Sequence, residues 1–353
     1  MTQSNPLLPS LIVVTGPTAS GKSALALMLA KRLHTEIVNA DSVQVYRGFD
    51  IGSAKPSAAE LSEVPHHLIS VVEPNDSFDA GKFRELAHRA IDDIHQRGLV
   101  PIISGGTGLY LRALLGGLVD VEISQSAVEE VQNRADCLRA AGKGEPEIEI
   151  ELREWLAKLE PDVSPGSLPS DPQRVRRALH VVLSTGASLS RLQQEHKHGD
   201  RRFRALIFCL LPEREQLYQR IDRRVDQMVE AGFVDEVRSL AQRYPTSCKP
   251  FGAIGYRHLA AVVSGELALD EAIELLKRDT RRYSKRQLTW WRHQPRNLGW
   301  IMVDQQPDGL QRASQLEQIA ERLAPEIEDF VQRRKTFSSD TVYFCPVENL
   351  NFG

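Results

Sequence analysis

The stretch LIVVTGPTASGKSALALMLAKRL, residues 11–33, decides the fold of this chain. Its centre, Gly16–Ser23, has the spacing G-x-x-x-x-G-K-[ST], in which backbone N–H groups turn toward a phosphate chain, the lysine neutralises that chain and the serine hydroxyl can reach Mg²⁺. An apolar, β-branched run precedes the loop, and a run of helix formers follows it. Because a strand, a glycine-rich turn and a helix N-terminus form an anion site, we predict a phosphate-binding loop here.

Short apolar runs alternate with helical stretches as far as about Leu118, and this alternation predicts a parallel sheet. Residues 121–162 then hold eleven acidic and five basic residues in mostly helical patterning. Asp171 and Pro172 predict the start of another helix, as its N-cap and its first residue. The run RALIFCLL, residues 204–211, predicts a returning buried strand.

These patterns predict an α/β fold, a P-loop parallel sheet flanked by helices and interrupted by a mainly helical insertion domain. The first part of the core covers residues 1–120, the insertion 121–200, and the second part of the core 201–325. Residues 335–353 show no period of a helix or strand and are expected to form a flexible tail.

The composition limits the classes of function. The 353-residue chain has a net charge of −3, so a nucleic-acid site has to come from charge segregated along the chain. Four scattered cysteines without a C-x-x-C pair argue against a zinc ribbon and a disulfide framework. The start lacks a basic and apolar leader, and no run approaches about eighteen apolar residues. We therefore expect a cytoplasmic protein with no membrane partner.

An ATPase or GTPase usually pairs such a loop with an acidic residue at the end of a second apolar strand. The run LVPIISGG, residues 99–106, ends without a carboxylate, which argues against a motor-type or switch-type hydrolase. Asp41 follows the apolar part of EIVNADSVQVYR, at the sheet edge where ligands of open α/β sheets bind. Asp41 could be a Mg²⁺ partner, a general base or a helix N-cap, and all three roles stay open. His66 and His67 lie on opposite faces of a strand, so we expect packing or polar contacts rather than a metal site.

The clearest charge asymmetry lies in KRDTRRYSKRQLTWWRHQPR, residues 277–296, with eight basic residues, one aspartate and three interleaved aromatic residues. Phosphate-contacting cations and aromatic platforms favour a nucleic-acid surface. The alternative is a solvated charged helix with core tryptophans. Residues 173–180 and 219–228 are further basic helical stretches, and together the three favour a polyanionic partner.

The chain resembles the bacterial tRNA dimethylallyltransferase family, also called tRNA isopentenyltransferases, from about Leu11 to Trp300. The resemblance rests on motifs in the family's order: GPTASGKS, NADSVQVYR, DIGSAKPS, PHHLIS, SGGTGLY, DPQRVRRALH, RRVDQMVEAGFVDEV, GAIGYR and TRRYSKRQLTWWR. It implies transfer of a dimethylallyl group from its diphosphate to N6 of the adenosine just 3′ of the anticodon, adenosine 37. It also implies Mg²⁺ as cofactor, and dimethylallyl diphosphate and the anticodon stem-loop of tRNA as partners. A monomer is expected.

The resemblance implies that Asp41 is the general base and that Arg224, Thr18 and Lys22 are catalytic, with Ser23 as the protein ligand of Mg²⁺. The residues implied to bind the diphosphate are Gly16, Pro17, Thr18, Ala19, Ser20, Gly21, Lys22 and Ser23. Those implied to bind tRNA, in part through the insertion, are Asp41, Ser42, Val43, Gln44, Thr107, Gln173, Arg174, Val175, Arg176, Arg177, Gly252, Gly255, Tyr256, Arg257, Lys285, Arg286, Gln287, Trp290 and Arg292.

Two other functions remain as alternatives. A small-molecule kinase of the shikimate-kinase or nucleotide-kinase type shares the loop, the sheet and a helical lid, but it leaves the basic aromatic stretch unexplained. A non-catalytic RNA-binding module leaves Lys22 and Ser23 beside Asp41 unexplained. The chain also departs from the family pattern, because Glu129 and Glu130 stand where an arginine is common, which puts one tRNA contact in doubt.

Overall fold

The computed structural model describes residues 8–117, 121–164, 166–189, 191–192, 202–293, 299–303, 309–332 and 342–343. They fall into two compact units: one is built from residues of 1–115 and 202–353, and the other from residues of 116–201. The predicted insertion ran from 121 to 200. Among the described residues, no helix has an apolar stretch long enough to cross a bilayer.

The first unit contains a parallel sheet, which confirms the predicted α/β fold. Its strands are β1 (Ser10–Thr15), β2 (Ile37–Asn39), β3 (His66–His67), β4 (Ile102–Ser104), β5 (Arg204–Pro212), β6 (Gly299–Val303) and β7 (Val342–Tyr343). The strand order is β3-β2-β4-β1-β5-β6, and β7 pairs with β5. In the centre, Val13 lies opposite Ile103 of β4 and Ile207 of β5.

Strand β1 is central because its residues suit burial on both faces. Leu11, Ile12, Val13 and Val14 have no exposed surface, as expected for a β-branched run in a parallel sheet covered by helices. On one face, Ile12 and Val14 share an apolar cluster with residues of the first and last described helices of this unit. The packing therefore holds the C-terminal end of β1 in place, where the phosphate loop begins.

The helices of the first unit are α1 (Lys22–Arg32), α2 (Ala58–Glu63), α3 (Ala80–Gln96), α4 (Gly108–Gly116), α8 (Arg214–Glu230), α9 (Phe233–Arg243), α10 (Tyr256–Val263), α11 (Leu269–Arg292) and α12 (Gly309–Gln332), with a short 3₁₀ helix at Lys249–Gly252. Helix α11, called the basic helix below, contains most of the predicted basic stretch. His293 follows the helix as its C-cap, and residues 294–296 lie outside the described residues.

The second unit contains helices α5 (Gln125–Ala140), α6 (Glu145–Leu159) and α7 (Pro172–Thr185) around an apolar core of its own. Helix α7 begins as predicted, with Pro172 as its first residue and the Asp171 side chain accepting a hydrogen bond from the Arg174 N–H at 3.0 Å. Val175 faces the core, with 2% of its surface exposed. Although Val175 stands among basic residues, its position on the helix places it on the buried side of α7.

Two residues of the predicted tail, Val342 and Tyr343, form β7 and pair with Ala205 and Leu206 of β5. The prediction of a flexible tail is therefore wrong for these two residues. They form a strand because their backbone pairs in parallel with β5, and such long-range pairing has no local sequence pattern. The rest of the predicted tail, 335–341 and 344–353, lies outside the described residues.

Candidate functional site

The phosphate loop lies at the carboxyl edge of the sheet, between β1 and α1. Gly16, Ala19 and Gly21 have φ values of 149°, 61° and 92°, so the loop repeatedly adopts a backbone conformation that favours glycine. At Gly16 a side chain is excluded, because an added Cβ would lie 2.9 Å from Ser20 Oγ and 3.0 Å from the Leu210 carbonyl oxygen. Helix α1 begins at Lys22, so the loop also has the partial positive charge of a helix N-terminus.

Two cations lie near the loop. Burial lowers the pKa of Lys22 from 10.5 to about 8, and the charge of Arg224 on helix α8 lowers it further, while Asp41 raises it. Burial also lowers the pKa of Arg224, and Asp41 opposes this shift. Because the two cations disfavour each other's charge, an anion bound between them would be strongly stabilised.

Asp41 follows β2, and its carboxylate holds the next turn of chain. Asp41 Oδ1 accepts hydrogen bonds from the N–H of Val43 at 2.8 Å and of Gln44 at 3.3 Å. The hydroxyl of Thr107, in the loop after β4, accepts from the Ser42 N–H at 3.2 Å. The structure therefore shows Asp41 capping a turn, residues 42–45, through one carboxylate oxygen. No helix begins there, so the helix N-cap considered for Asp41 is wrong.

A cavity of about 330 Å³ opens beside these groups, within the usual size range of small-molecule sites. Polar and apolar side chains both line it. Its polar lining includes Thr18, Asp41, Ser42, Ser53, Arg224, Thr280, Tyr283 and Arg286, and its apolar lining includes Val43, Ile221, Val225, Met228, Phe233, Ile254 and Leu276. Burial, helped by the charge of Asp41, raises the pKa of Tyr283 to about 12, so its phenol is neutral at physiological pH.

One wall of the cavity is held by Glu236 of helix α9. Its carboxylate accepts hydrogen bonds from the N–H groups of Asp50, Ile51 and Gly52, at 3.2, 2.7 and 3.3 Å. It also accepts from the Tyr256 hydroxyl at 2.7 Å. Sequence reasoning missed Glu236, because a carboxylate that binds backbone far away in the chain has no local signature.

Some cations of the basic helix form ion pairs within the unit, and others are exposed to solvent. Lys277 forms an ion pair with Asp226 at 2.7 Å, and Arg281 pairs with Asp222. Both partners lie on helix α8, which carries Arg224. These two cations are therefore paired within the unit, which neither the nucleic-acid surface nor the solvated charged helix had predicted for this part of the helix.

The exposed cations of the basic helix include three predicted tRNA contacts, Lys285, Arg286 and Arg292. The predicted contact Trp290 packs against Gly108, where an added Cβ would lie 2.7 Å from its ring. Gln287 is only 7% exposed and faces the phosphate loop rather than the solvent.

Other predicted tRNA contacts differ in their exposure. Tyr256 is fully buried, since its ring packs against Phe49 and Phe233. Arg257 is paired with Asp279 at 2.6 Å. Gly252 and Gly255 line the cavity, together with Ser42 and Val43. Gln44 donates to the carbonyl oxygens of Ser53 and Ala54 at 3.0 and 3.1 Å. The buried side chain of Tyr256 can reach neither the cavity nor the solvent.

In the second unit, Gln173, Arg174 and Arg177 are exposed on helix α7. Arg176 is paired with Glu149 of helix α6. The side chain of Val175 lies in the core, so a polyanion could contact this helix only through its polar neighbours.

The two adjacent histidines make polar contacts, as predicted. His66 Nδ1 lies 2.8 Å from the Val64 carbonyl oxygen, and His67 Nε2 lies 2.7 Å from Glu36 Oε2. Glu36 also pairs with Arg97, and this hydrogen bond lowers the pKa of Glu36 to about 2. No group of three or more His, Cys, Asp or Glu side chains suited to a metal occurs in the described part of the chain.

A Mg²⁺ ion that arrives with a phosphate ligand nevertheless fits this loop. Mg²⁺ keeps several waters and needs only one or two protein oxygens besides the phosphates. Ser23 is exposed in the first turn of helix α1, next to Lys22. Asp41 lines the cavity together with Thr18 and Ala19 of the loop, so its second carboxylate oxygen is a candidate for an additional contact through water.

Comparison with known proteins identifies close relatives. The model of the IPP transferase family matches residues 44–294. The tRNA dimethylallyltransferase 1 of Trichlorobacter lovleyi is 48% identical over 295 residues, which cover 83% of this chain and 93% of the relative. A crystal structure of tRNA delta(2)-isopentenylpyrophosphate transferase from Staphylococcus epidermidis has 34% identity and a TM-score of 0.64, covering 91% of this chain and 99% of that one. A eukaryotic dimethylallyltransferase acting on tRNA superposes with a TM-score of 0.73 at 25% identity, covering 94% of this chain and 81% of that one.

Proposed function

The chain belongs to the IPP transferase family, and from this membership we propose that it transfers a dimethylallyl group from dimethylallyl diphosphate to N6 of adenosine 37 of tRNA. It is thus a prenyl-transferring, tRNA-modifying enzyme. The observation that carries the proposal is the cavity beside the phosphate loop, whose lining combines Thr18 and Ala19 of the loop, the Arg224 cation and apolar side chains. Dimethylallyl diphosphate combines matching groups, a charged diphosphate and an apolar five-carbon chain.

In the proposed reaction, the bond between adenine N6 and C1 of the dimethylallyl group forms while the bond from C1 to the diphosphate oxygen breaks. The N6 lone pair is delocalised into the ring, so it attacks carbon poorly unless a proton leaves as the bond forms. We assign Asp41 as the acceptor of this proton, a role typically worth about 10²–10⁴-fold in rate. The electron pair of the broken bond leaves with the diphosphate.

The departing diphosphate gains charge, and the loop offers stabilisation that exists before the reaction begins. The backbone N–H groups of the loop, Lys22 and Arg224 supply it. A Mg²⁺ ion held by Ser23 would neutralise further charge on the diphosphate when it is bound. Thr18 lies where the loop meets the cavity, next to the reacting bond in this proposal.

The adenosine has to leave its stack to reach the cavity, at a cost of a few kcal/mol that is smaller in a single-stranded loop. We propose that the exposed cations of the basic helix and of helix α7 contact the phosphates of the anticodon stem-loop and offset this cost. The protein is proposed to act as a monomer.

The test is to incubate the purified protein with Mg²⁺, dimethylallyl diphosphate and unmodified tRNA whose anticodon is followed by adenosine. The tRNA is then digested and its nucleosides are weighed by mass spectrometry. We expect adenosine heavier by one dimethylallyl group, without any ATP. A lack of product with several such tRNAs, together with ATP consumption stimulated by a small acceptor, would favour the kinase alternative.

A further inference from the structure

Gln287 differs from its neighbours on the basic helix. Lys285 and Arg286 are exposed, whereas Gln287 is 7% exposed and lies against the carboxyl edge of the sheet. A buried primary amide has two donors and one acceptor to satisfy, so its partners show what it does.

The amide of Gln287 joins two loops that are far apart in the chain. Gln287 Oε1 accepts a hydrogen bond from the Thr18 N–H at 2.8 Å, and Gln287 Nε2 donates to the Gly106 carbonyl oxygen at 3.0 Å. One side chain thus connects the phosphate loop and the loop after β4.

The motif SGGTG, residues 104–108, has a glycine at position 106, and the missing side chain lets the Gln287 amide approach the backbone there. A Cβ added at Gly106 would lie 2.5 Å from Gln287 Nε2. Real Cβ atoms do not approach that closely, so a side chain at position 106 would push the amide away. The glycine and the glutamine therefore form one arrangement, although they come from different motifs.

This arrangement has a consequence for the phosphate loop. Thr18 N–H is one of the loop's backbone donors, and its bond to Gln287 turns it toward the basic helix rather than toward a ligand. With Thr18 fixed in this way, the strained left-handed backbone of Ala19, the next residue, is held in place. A loop already in its binding shape does not have to be ordered when the anion arrives.

We propose that Gln287 is a positioning residue for the diphosphate: it holds the phosphate loop in its binding shape and attaches it to the basic helix. This inference rests on the proposed function, since it takes the diphosphate of the prenyl donor as the ligand of the loop. It differs from the sequence-based expectation for Gln287, which was contact with tRNA.

Two variants remove the contact in different ways. Gln287→Met keeps the length of the side chain but loses its hydrogen bonds. Gly106→Ala displaces the amide while leaving Gln287 unchanged, but its Cβ would also lie 3.3 Å from the Gly16 carbonyl oxygen and 3.5 Å from Lys22 Cε, so it supports the inference only together with Gln287→Met. Losing a positioning hydrogen bond should weaken binding of inorganic pyrophosphate with Mg²⁺ about tenfold. KM for dimethylallyl diphosphate should rise by a similar factor, and tRNA affinity should stay within about twofold of wild type.

The controls are matched to the two variants. Thr289→Ala changes an exposed residue of the same helix, and Gly116→Ala adds a methyl group where no atom lies within 4 Å. Both should bind pyrophosphate as the wild type does. Pyrophosphate affinity is measured by isothermal titration calorimetry, tRNA affinity by filter binding, and folding by thermal melting.

Wild-type pyrophosphate affinity in both Gln287→Met and Gly106→Ala would overturn the inference. So would a loss of tRNA affinity with pyrophosphate affinity intact, which would return Gln287 to a tRNA contact. If Gln287→Met does not fold, Gln287→Leu, which also lacks the amide, decides. A wild-type protein that binds neither pyrophosphate nor tRNA would instead contradict the proposed function.

Discussion

Asn and Ala substitutions at Asp41 separate its structural role from its proposed chemical one. Asp41 Oδ1 accepts the Val43 and Gln44 N–H groups, and the carboxylate lines the cavity. Asp41→Asn keeps an oxygen that can accept both N–H groups but removes the base. We therefore expect kcat to fall by about 10²–10⁴-fold with the melting temperature unchanged.

Asp41→Ala loses the two hydrogen bonds as well. Losing hydrogen bonds that hold a turn costs about 1 kcal/mol, and in a chain of 353 residues that lowers the melting temperature by roughly 1–2 °C. Both variants also remove a negative charge that raises the pKa of Lys22. Assays with saturating donor keep the diphosphate site filled, so that a weakened site does not hide the chemical defect.

The assay is single-turnover transfer of labelled dimethylallyl groups to tRNA, with tRNA affinity measured in parallel. A near-normal rate in Asp41→Asn would refute the general base. If that variant instead regained its rate at high Mg²⁺, Asp41 would be a metal partner. A defect in Asp41→Ala alone would assign Asp41 to the cap. An equal loss of tRNA affinity would assign it an anchoring role.

Three further predictions concern charge. Protonated Lys22 should bind pyrophosphate, so calorimetry should show the affinity for pyrophosphate falling as the pH rises through about 8. In Arg224→Gln this fall should move to higher pH, because Arg224 lowers the pKa of Lys22. An unchanged pH profile in that variant would contradict the coupling between the two cations. Lys285→Ala should reduce the salt dependence of tRNA binding by about 0.7–0.9 in slope, whereas Lys277→Ala, whose ammonium is paired inside the unit, should leave it unchanged. Glu36→Gln should lower the melting temperature at neutral pH, because the guanidinium of Arg97 holds the pKa of Glu36 in the folded protein at about 2. The stability from this ion pair is full above about pH 4.5 and is lost toward pH 2. The melting temperatures of the wild type and the variant should therefore converge over that range.

Much of the fold could be predicted because it depends on local patterns. Strand β1 is an apolar, β-branched run buried on both faces, and α7 begins at a recognisable cap, Asp171 followed by Pro172. Strand β7 could not be predicted in the same way. Its pairing with β5 depends on a partner more than a hundred residues away.

In the candidate site, too, the features that depend on local patterns could be predicted and those that depend on distant partners could not. The phosphate loop and Asp41 could be located from sequence, because the carboxyl edge of a parallel sheet brings them together. The pairing of Lys277 and Arg281 with helix α8 could not, since a charge count does not show which side of a helix is covered. The buried amide of Gln287 is also invisible to periodicity, because its partners come from two distant loops.

The position of β1 between β4 and β5 has a consequence for biosynthesis. Ser10 lies opposite Arg204, so the middle of the sheet closes only after the whole of the second unit has been translated. At equilibrium this interruption costs little, since each doubling of a closed loop adds only about 0.6 kcal/mol. During translation, however, the early strands emerge without their central partner, while residues 116–201 already contain the contacts of their own core. The inserted unit can therefore fold before the sheet that surrounds it in the sequence.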